Sequence, residues 1–258
     1  MHRFTHGFML QGIYTWGKSL DDASSIGGTT ATVEQRDGLQ YLHEEYGLST
    51  FDIRHQFRAV SNWELPFGER HRLANHGWES RLFSDWRLQN IFTWQTGTPF
   101  TVTLGGVASD NGTGTNFSLR PSLIGNPNLG ICGGTRTAFF DTGVFSPPLD
   151  SSGILTYGDE RRGAVEGPCT FNWNVSVAKT IRFGPERRRN VNISWQIQNL
   201  TNTPNFTGIG TLLPCFNTAS GIACGASSDL PFASRSFFGG VTSAGPMRTM
   251  YLMVRVNL

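Results

Sequence analysis

The chain has 258 residues, an apolar fraction of 38% and 31 glycines, a composition that argues against a helix-rich globule. Its 21 basic and 19 acidic side chains leave a formal charge of +2, without the basic excess of a dedicated nucleic-acid binder, so no nucleic-acid partner is expected. No window approaches the roughly 20 apolar residues of a membrane-spanning helix, so a crossing of a bilayer has to use strands. Met1 to Lys18 holds no unbroken apolar core, because Gln11 and Gly12 interrupt Phe8, Met9 and Leu10. That stretch does not read as a signal peptide, and for an exported protein the expectation is that the natural N-terminus lies upstream.

Six segments alternate apolar and polar side chains over about the 9 to 11 residues of a tilted membrane strand. The first runs from Phe4 to Trp16, with Phe4, Phe8, Leu10, Tyr14 and Trp16 on one face and His6 and Gly12 diluting it. The second, Asp52 to Leu65, sets Ile53, Phe57, Ala59, Trp63 and Leu65 against Asp52, Arg54, Gln56, Arg58, Asn62 and Glu64, with His55 as the misfit. In the third, Trp86, Leu88, Phe92 and Trp94 oppose Arg87, Gln89, Thr93 and Gln95, and Asn90 breaks the apolar face once. The fourth, Cys169 to Phe183, carries Phe171, Trp173, Val175, Val177, Ile181 and Phe183 outward, with Lys179 placed to snorkel to the nearer interface. The fifth sets Val191, Ile193, Trp195 and Ile197 against Asn190, Asn192, Ser194, Gln196 and Gln198. In the sixth, Met250, Leu252, Val254, Val256 and Leu258 share one parity and run to the terminal carboxylate, as in the closing strand that serves as a barrel-assembly signal.

The pattern predicts an all-β fold: an antiparallel up-and-down transmembrane β-barrel meander in the bacterial outer membrane, with outer-membrane lipid and the barrel-assembly machinery as partners. Connections read long, short, long, short, long, with Leu20 to Phe51, Thr98 to Pro168 and Thr201 to Gly245 outside and Pro66 to Gly77 and Gly184 to Arg189 inside. This alternation leaves the C-terminus in the periplasm. Trp16, Trp94, Phe171 and Trp173 fall at outer strand ends and Trp63, Trp86 and Phe183 at inner ends, where interfacial aromatics belong. Aromatics in the core of a soluble, secreted, glycan-binding β-sandwich are the rival explanation.

Chemistry-bearing residues are few. Asp52, Arg54, Arg58, Glu64, Arg87, Arg182 and Arg255 are the lumen-facing candidates. Cys132, Cys169, Cys215 and Cys224 all fall in outer loops or at an outer strand end, and Cys215 with Cys224 is the candidate disulfide, while the redox state of the other two is left open. His43-Glu44-Glu45 lacks the second histidine of a zinc-protease helix, and no GxSxG elbow or phosphate loop occurs. No catalytic residue, metal ligand or cofactor site is expected, and the chain does not read as an enzyme. The Gly, Asn and Ser content of Thr98 to Pro168 suggests a mobile hydrogen-bonding surface for ligand recognition, with Arg161-Arg162 either attracting an anion or merely solvated.

Seven motifs in order carry a family resemblance: Tyr14-Thr15-Trp16-Gly17-Lys18-Ser19-Leu20-Asp21-Asp22-Ala23, Phe51 to Phe57, Trp63-Glu64-Leu65-Pro66-Phe67-Gly68, Gln95-Thr96-Gly97-Thr98-Pro99-Phe100, Gly167 to Trp173, Asn199-Leu200-Thr201-Asn202-Thr203-Pro204-Asn205-Phe206, and the terminal strand. With these the chain resembles the C-terminal barrel portion of TonB-dependent outer-membrane receptors of the Oar-like group. The resemblance implies a barrel of about 22 strands filled by a plug, of which residues 1–258 supply about six C-terminal strands, with plug domain and signal peptide absent. It also implies energised uptake of a scarce small ligand, oligosaccharide or peptide, TonB being reached only through the missing plug. The lumen-facing charges would then solvate the lumen and dock the plug. The family usually ends in an aromatic residue, whereas this sequence ends in Leu258. A passive outer-membrane pore or an adhesin barrel is the second rival. The substrate, its contacts and the oligomeric state lie beyond the sequence.

Overall fold

The computed structural model describes residues 2–3, 7–22, 24, 45–68, 77–106, 119–183, 189–218, 221–224 and 237–257. Six long strands form one wall: β1 (Phe8–Trp16), β2 (His55–Glu64), β3 (Trp86–Gln95), β4 (Thr170–Phe183), β5 (Arg189–Gln198) and β6 (Thr249–Asn257). Each pairs antiparallel with the next in chain order, so the wall is an up-and-down meander. The sheet does not close. Its edges are β6 and the short strand His2–Arg3, which pairs with Leu10 and Met9. The first strand therefore starts at Phe8 and not at Phe4; Phe4, Thr5 and His6 lie outside the described residues. Leu258, Glu69, Arg70 and the 184–187 turn also lie outside them.

Register turns six separate alternations into one surface. One row crosses the whole wall through Phe8, Trp63, Leu88, Val177, Trp195 and Leu252, and another through Leu10, Ser61, Asn90, Val175, Ile197 and Met250. Because side chains alternate along every strand, these rows and their neighbours make a single apolar face. No second sheet covers it among the described residues: Trp16 is 66%, Leu252 70% and Val254 60% exposed. A β-sandwich would bury that face, and no such second layer stands against it among the described residues. The opposite face carries Arg58, Asn62, Gln89, Asn172, Ser176 and Gln196, with Ile13, Val60 and Ile91 as apolar insertions that the simple alternation overlooks.

Misfits on the apolar face are each satisfied. The Asn90 amide donates to Ser61 Oγ at 3.2 Å and accepts from the Trp173 indole at 3.3 Å. Tyr14 and His55 share a hydrogen bond of 2.7 Å. Lys179 donates to the carbonyls of Leu82 and Ser84 at 2.7 and 2.8 Å, which realises the expected snorkelling. In hydrocarbon an unpaired polar group costs several kcal/mol, so this pairing is what permits polar residues there.

The two ends of the wall differ. At one end, residues 65–85 join β2 to β3 and include a helix, α1 (Gly77–Phe83), where a shorter turn ending at Gly77 was expected. Gly68, at φ +100°, lets the chain pass so close to Ser84 that an added Cβ would lie 2.3 Å from the serine Cβ. At the other end the three long connections pack into a head. Its core unites Val102, Leu104, Leu119, Phe139, Phe140, Phe145, Val165, Ile209, Leu213 and Phe238, and Phe140, Phe145 and Phe238 meet edge to face at 5.3 to 5.8 Å. Thr103–Gly106 runs parallel to Leu212–Thr218, a departure from the purely antiparallel meander. The described part of the Thr98 to Pro168 connection thus supplies most of a packed core, with exposed stretches such as 129–137 and 149–154 on its surface. Its apolar residues follow no period, so they do not announce a shared core.

The facing of the wall is testable. Val177→Arg puts a cation on the apolar face and is expected to cost about 2 to 4 kcal/mol in a bilayer, whereas Ser176→Arg, one residue away on the polar face, leaves stability nearly unchanged. Urea titration of protein folded into vesicles measures both; equal losses would show that the faces have been misassigned.

Candidate functional site

The head is held to the wall by charges and asparagines. Ser19, just beyond β1, donates its backbone N–H to Asp52 Oδ1 at 2.6 Å, and Ser49 N donates to the Ser19 carbonyl at 3.1 Å. Leu20–Asp21 then pairs with Gly47–Leu48. Behind that hairpin Arg162 donates to the Glu45 carbonyl at 2.7 Å and to Asp21 through both its carbonyl and its carboxylate. Burial raises the Asp21 carboxyl, but hydrogen bonds from Ser49, Arg162 and Ser24, together with the Arg162 charge, hold it below the usual carboxylate range. Deeper still, Arg120 grips Glu45 in a two-pronged pair at 2.6 and 3.3 Å, with both side chains only 1% exposed.

Glu160 lies in the same layer. Its Oε1 accepts from Val102 N at 3.1 Å, while Oε2 has no hydrogen-bond partner. Burial pushes its carboxyl up to about 8, against the opposing pull of the Val102 N–H and the Arg120 charge.

The Asn199 to Phe206 motif ties the head to β4, β5 and β6. Asn199 and Asn202 both adopt φ +52°, a left-handed conformation that asparagine tolerates better than most residues. The Asn199 side chain accepts from Thr203 N and donates to Thr203 O, closing a loop, and its backbone N–H donates to Asn174 Oδ1 at 2.9 Å. Asn202 Oδ1 accepts from Arg248 N at 3.0 Å, and Asn205 Oδ1 from Phe171 N at 2.8 Å. Cys132 is disulfide-bonded to Cys169 at the outer end of β4. Cys215 is also disulfide-bonded and stands opposite Cys224 in the strand register; the Cys224 side chain lies outside the described ones.

Between these supports opens a cleft of about 530 Å³, at the head end of β1 and β2, a size that suits a small ligand. Lys18, Arg54 and Arg161 bring cations to its lining, Tyr46 and Leu123 apolar surface, and Asn126 an amide. Asp159, the one acid in the lining among the described residues, already accepts from Leu123 N at 2.8 Å. Lys18 and Arg161 are exposed and make no ion pair among the described residues, so the cleft presents positive charge to solvent. No group of three His, Cys, Asp or Glu placed to hold a metal occurs among the described residues.

The sequence-predicted residues scatter. Arg58, Glu64, Arg87, Arg182 and Arg255 take the polar-face parity of their strands, and Glu64 pairs with Arg87 at 2.8 Å and Arg182 with Asp85 at 3.3 Å. Asp52 does not face the lumen: β2 begins only at His55, and Asp52 is buried where it braces Ser19. Arg54, also before β2, lines the cleft and contacts Asp52 at 3.5 Å. Arg161 and Arg162 separate, the first exposed in the cleft and the second buried as a strut. Met250, Leu252, Val254 and Val256 stand exposed along edge strand β6. Lys18, Tyr46 and Arg120 were not singled out by sequence, since an isolated cation or aromatic in a loop carries no periodic signal. His43 and Glu44 lie outside the described residues.

A family model described as an outer membrane beta barrel domain matches residues 1–250. No curated protein and no solved structure matches the chain.

Two tests address the head. Replacing Cys132 and Cys169 with serine opens a crosslink across 37 residues and is expected to cost about 3 to 4 kcal/mol of head stability, read as faster protease cleavage within the head while the wall stays intact. The folded head keeps a proton on Glu160 that the unfolded chain gives up near the ordinary value of 4.5. Head stability should therefore fall as pH rises from about 4.5 to about 8, and Glu160→Gln should flatten that fall in melting curves; an unchanged slope would refute the assignment.

Proposed function

The chain belongs to the outer membrane beta barrel domain family, and from that premise we propose that it is the barrel wall and ligand-capturing head of a TonB-dependent outer-membrane receptor for energised uptake. Outer-membrane placement makes the apolar face the lipid face and the polar face the lumen lining. One observation carries the transport reading: an open sector of wall bears at one end a packed head with a cationic cleft. An open sheet edge in hydrocarbon leaves N–H and C=O groups unpaired at several kcal/mol each, so β6 and the first strand need further strands beside them. A six-stranded wall is also below the eight at which single-chain bacterial barrels begin. The six strands are then one sector of a larger barrel, wide enough to hold a plug, and the resemblance of the seven motifs to Oar-like receptors fits that size. The exposed alternation of β6 fits a strand recognised by the barrel-assembly machinery, and the polar-face charges fit a docking surface for the plug.

Within this reading the cleft makes the first contact with the ligand, and Lys18 and Arg161, which make no ion pair among the described residues, select an anionic one, such as an acidic oligosaccharide or peptide. The head is a capture surface and not a catalytic centre. The passive-pore and adhesin alternatives differ by lacking a plug upstream and by not responding to inner-membrane energy.

In cells carrying the full-length protein, uptake of an oligouronate should stop when a protonophore collapses the inner-membrane gradient, and uptake that continues would mark a passive pore. With purified protein, Lys18→Ala combined with Arg161→Ala should weaken oligouronate binding about tenfold or more and leave a neutral oligosaccharide of equal length unaffected. Equal binding of both sugars by the unaltered protein would remove the anion assignment.

A further inference from the structure

At the end of the wall opposite the head, α1 exposes its apolar residues to the outside. Trp78 is 71%, Leu82 48% and Phe83 44% exposed. Trp78 and Leu82 are four residues apart and share one face of the helix, whereas Ser80, about 200° round the axis from Trp78, is buried. The helix thus turns Ser80 towards the protein and Trp78 and Leu82 away from it, while Phe83, about 140° round the axis from Trp78, sits beside Phe67.

Hydrogen bonds fix the side of the wall on which α1 ends. Lys179 and Trp86 are register partners on the apolar face. The Lys179 ammonium sits over the Trp86 ring at 5.3 Å, and both side chains donate to the Leu82 carbonyl, at 2.7 and 2.9 Å. Leu82 is therefore drawn to the lipid side. Asp85, three residues further on at φ +57°, sends its carboxylate to Arg182 on the polar face, so the chain crosses the rim of the wall between the two. Phe67 supports the arrangement from below, its ring 6.5 Å from that of Phe83.

We propose that α1 is an interfacial anchor: it lies in the headgroup region of the leaflet at this end of the wall, with Trp78 and Leu82 in lipid. The occupant of the exposed face is phospholipid, because the helix is continuous with a wall face that is itself in contact with acyl chains. Tryptophan favours this depth, where its ring is out of water and its N–H remains near polar groups. The carbonyls that receive Lys179 also give that cation a polar station at the interface. The proposal depends on outer-membrane placement and not on TonB, the plug or the ligand.

The test is a nitroxide at Trp78→Cys in the full-length protein folded into phospholipid nanodiscs. The described cysteines are all disulfide-bonded, which leaves the introduced thiol to be labelled. Collisions with dissolved oxygen should exceed those with a water-soluble nickel chelate severalfold, and a label at Ser151→Cys, exposed on the head, should show the reverse. Nickel access at position 78 equal to that at position 151 would place the helix in water. Shielding from both reagents would place it against protein, either the plug or a partner. Either result overturns the proposal, and Leu82→Cys repeats the measurement should Trp78→Cys fold poorly.

Discussion

Hydrocarbon offers no hydrogen-bond partner, so each backbone N–H and C=O that enters it must be paired with a neighbouring strand. The wall meets this demand by the simplest route, pairing each strand with the next along the chain through near-continuous registers. The same constraint governs side chains on the lipid face. Asn90 is admissible because Ser61 and Trp173 use both ends of its amide, and Lys179 because two carbonyls at the rim receive its protons. The Asn90 bonds run across strands to β2 and β4, so this polar exception also helps to pin the register of its neighbours.

A wall with one face in lipid and the other in water has no interior of its own, and this explains why the head carries the protein's buried core. Val102, Phe140, Val165 and Leu213 are almost wholly buried although all four lie in connections between wall strands. The core alone does not orient the head. Arg120 with Glu45 and Arg162 with Asp21 draw two distant stretches of chain together, and the Asn199 motif ties the head to three strands at once. A buried pair such as Arg120 with Glu45 is a poor source of net stability, since desolvation offsets most of its attraction, yet removing one partner is costly. Its use is to reject other arrangements of loops that hydrophobic burial alone would tolerate. The cleft inherits its shape from these struts, because Arg162 belongs to both.

The wall is legible in the sequence because period two is a local signal: the six long strands are all visible in it, Asn90 and His55 stand out as misfits and Lys179 as a cation placed to snorkel, whereas the two-residue edge strand His2–Arg3 is too short to show a period. What was lost is non-local. Asp52 continues the parity of Arg54 and Gln56 in sequence, but the ladder stops at His55, and beyond it the side chain answers to Ser19 rather than to the pleat. Arg161 and Arg162 are identical in type and adjacent, and only the positions of Asp21 and Glu45 decide that one is a strut and the other a surface cation. Helix α1 escaped because seven residues are too few to establish a period, and because tertiary bonds to Leu82 and Ser84 fix its seat. The cleft has no sequence signature, being assembled from four separated stretches, around residues 18–20, 46–54, 123–128 and 159–164.

The two ends of the wall follow one logic applied to different surroundings. Where the connections are long they can enclose apolar side chains among themselves, and the result is a folded head whose surface is free to carry charge. Where the chain returns within residues 65–85, the described residues build no comparable core, and Trp78 and Leu82 stay exposed beside the lipid face. Exposure of Trp78 and Leu82 would be a liability on a protein in water. At the boundary of a bilayer it is the low-energy state, because the membrane supplies the apolar environment that so short a segment cannot provide for itself. The length of each connection therefore selects what buries its apolar residues, protein at the head and lipid at the opposite rim, and the same distribution fixes the height of the wall in the membrane.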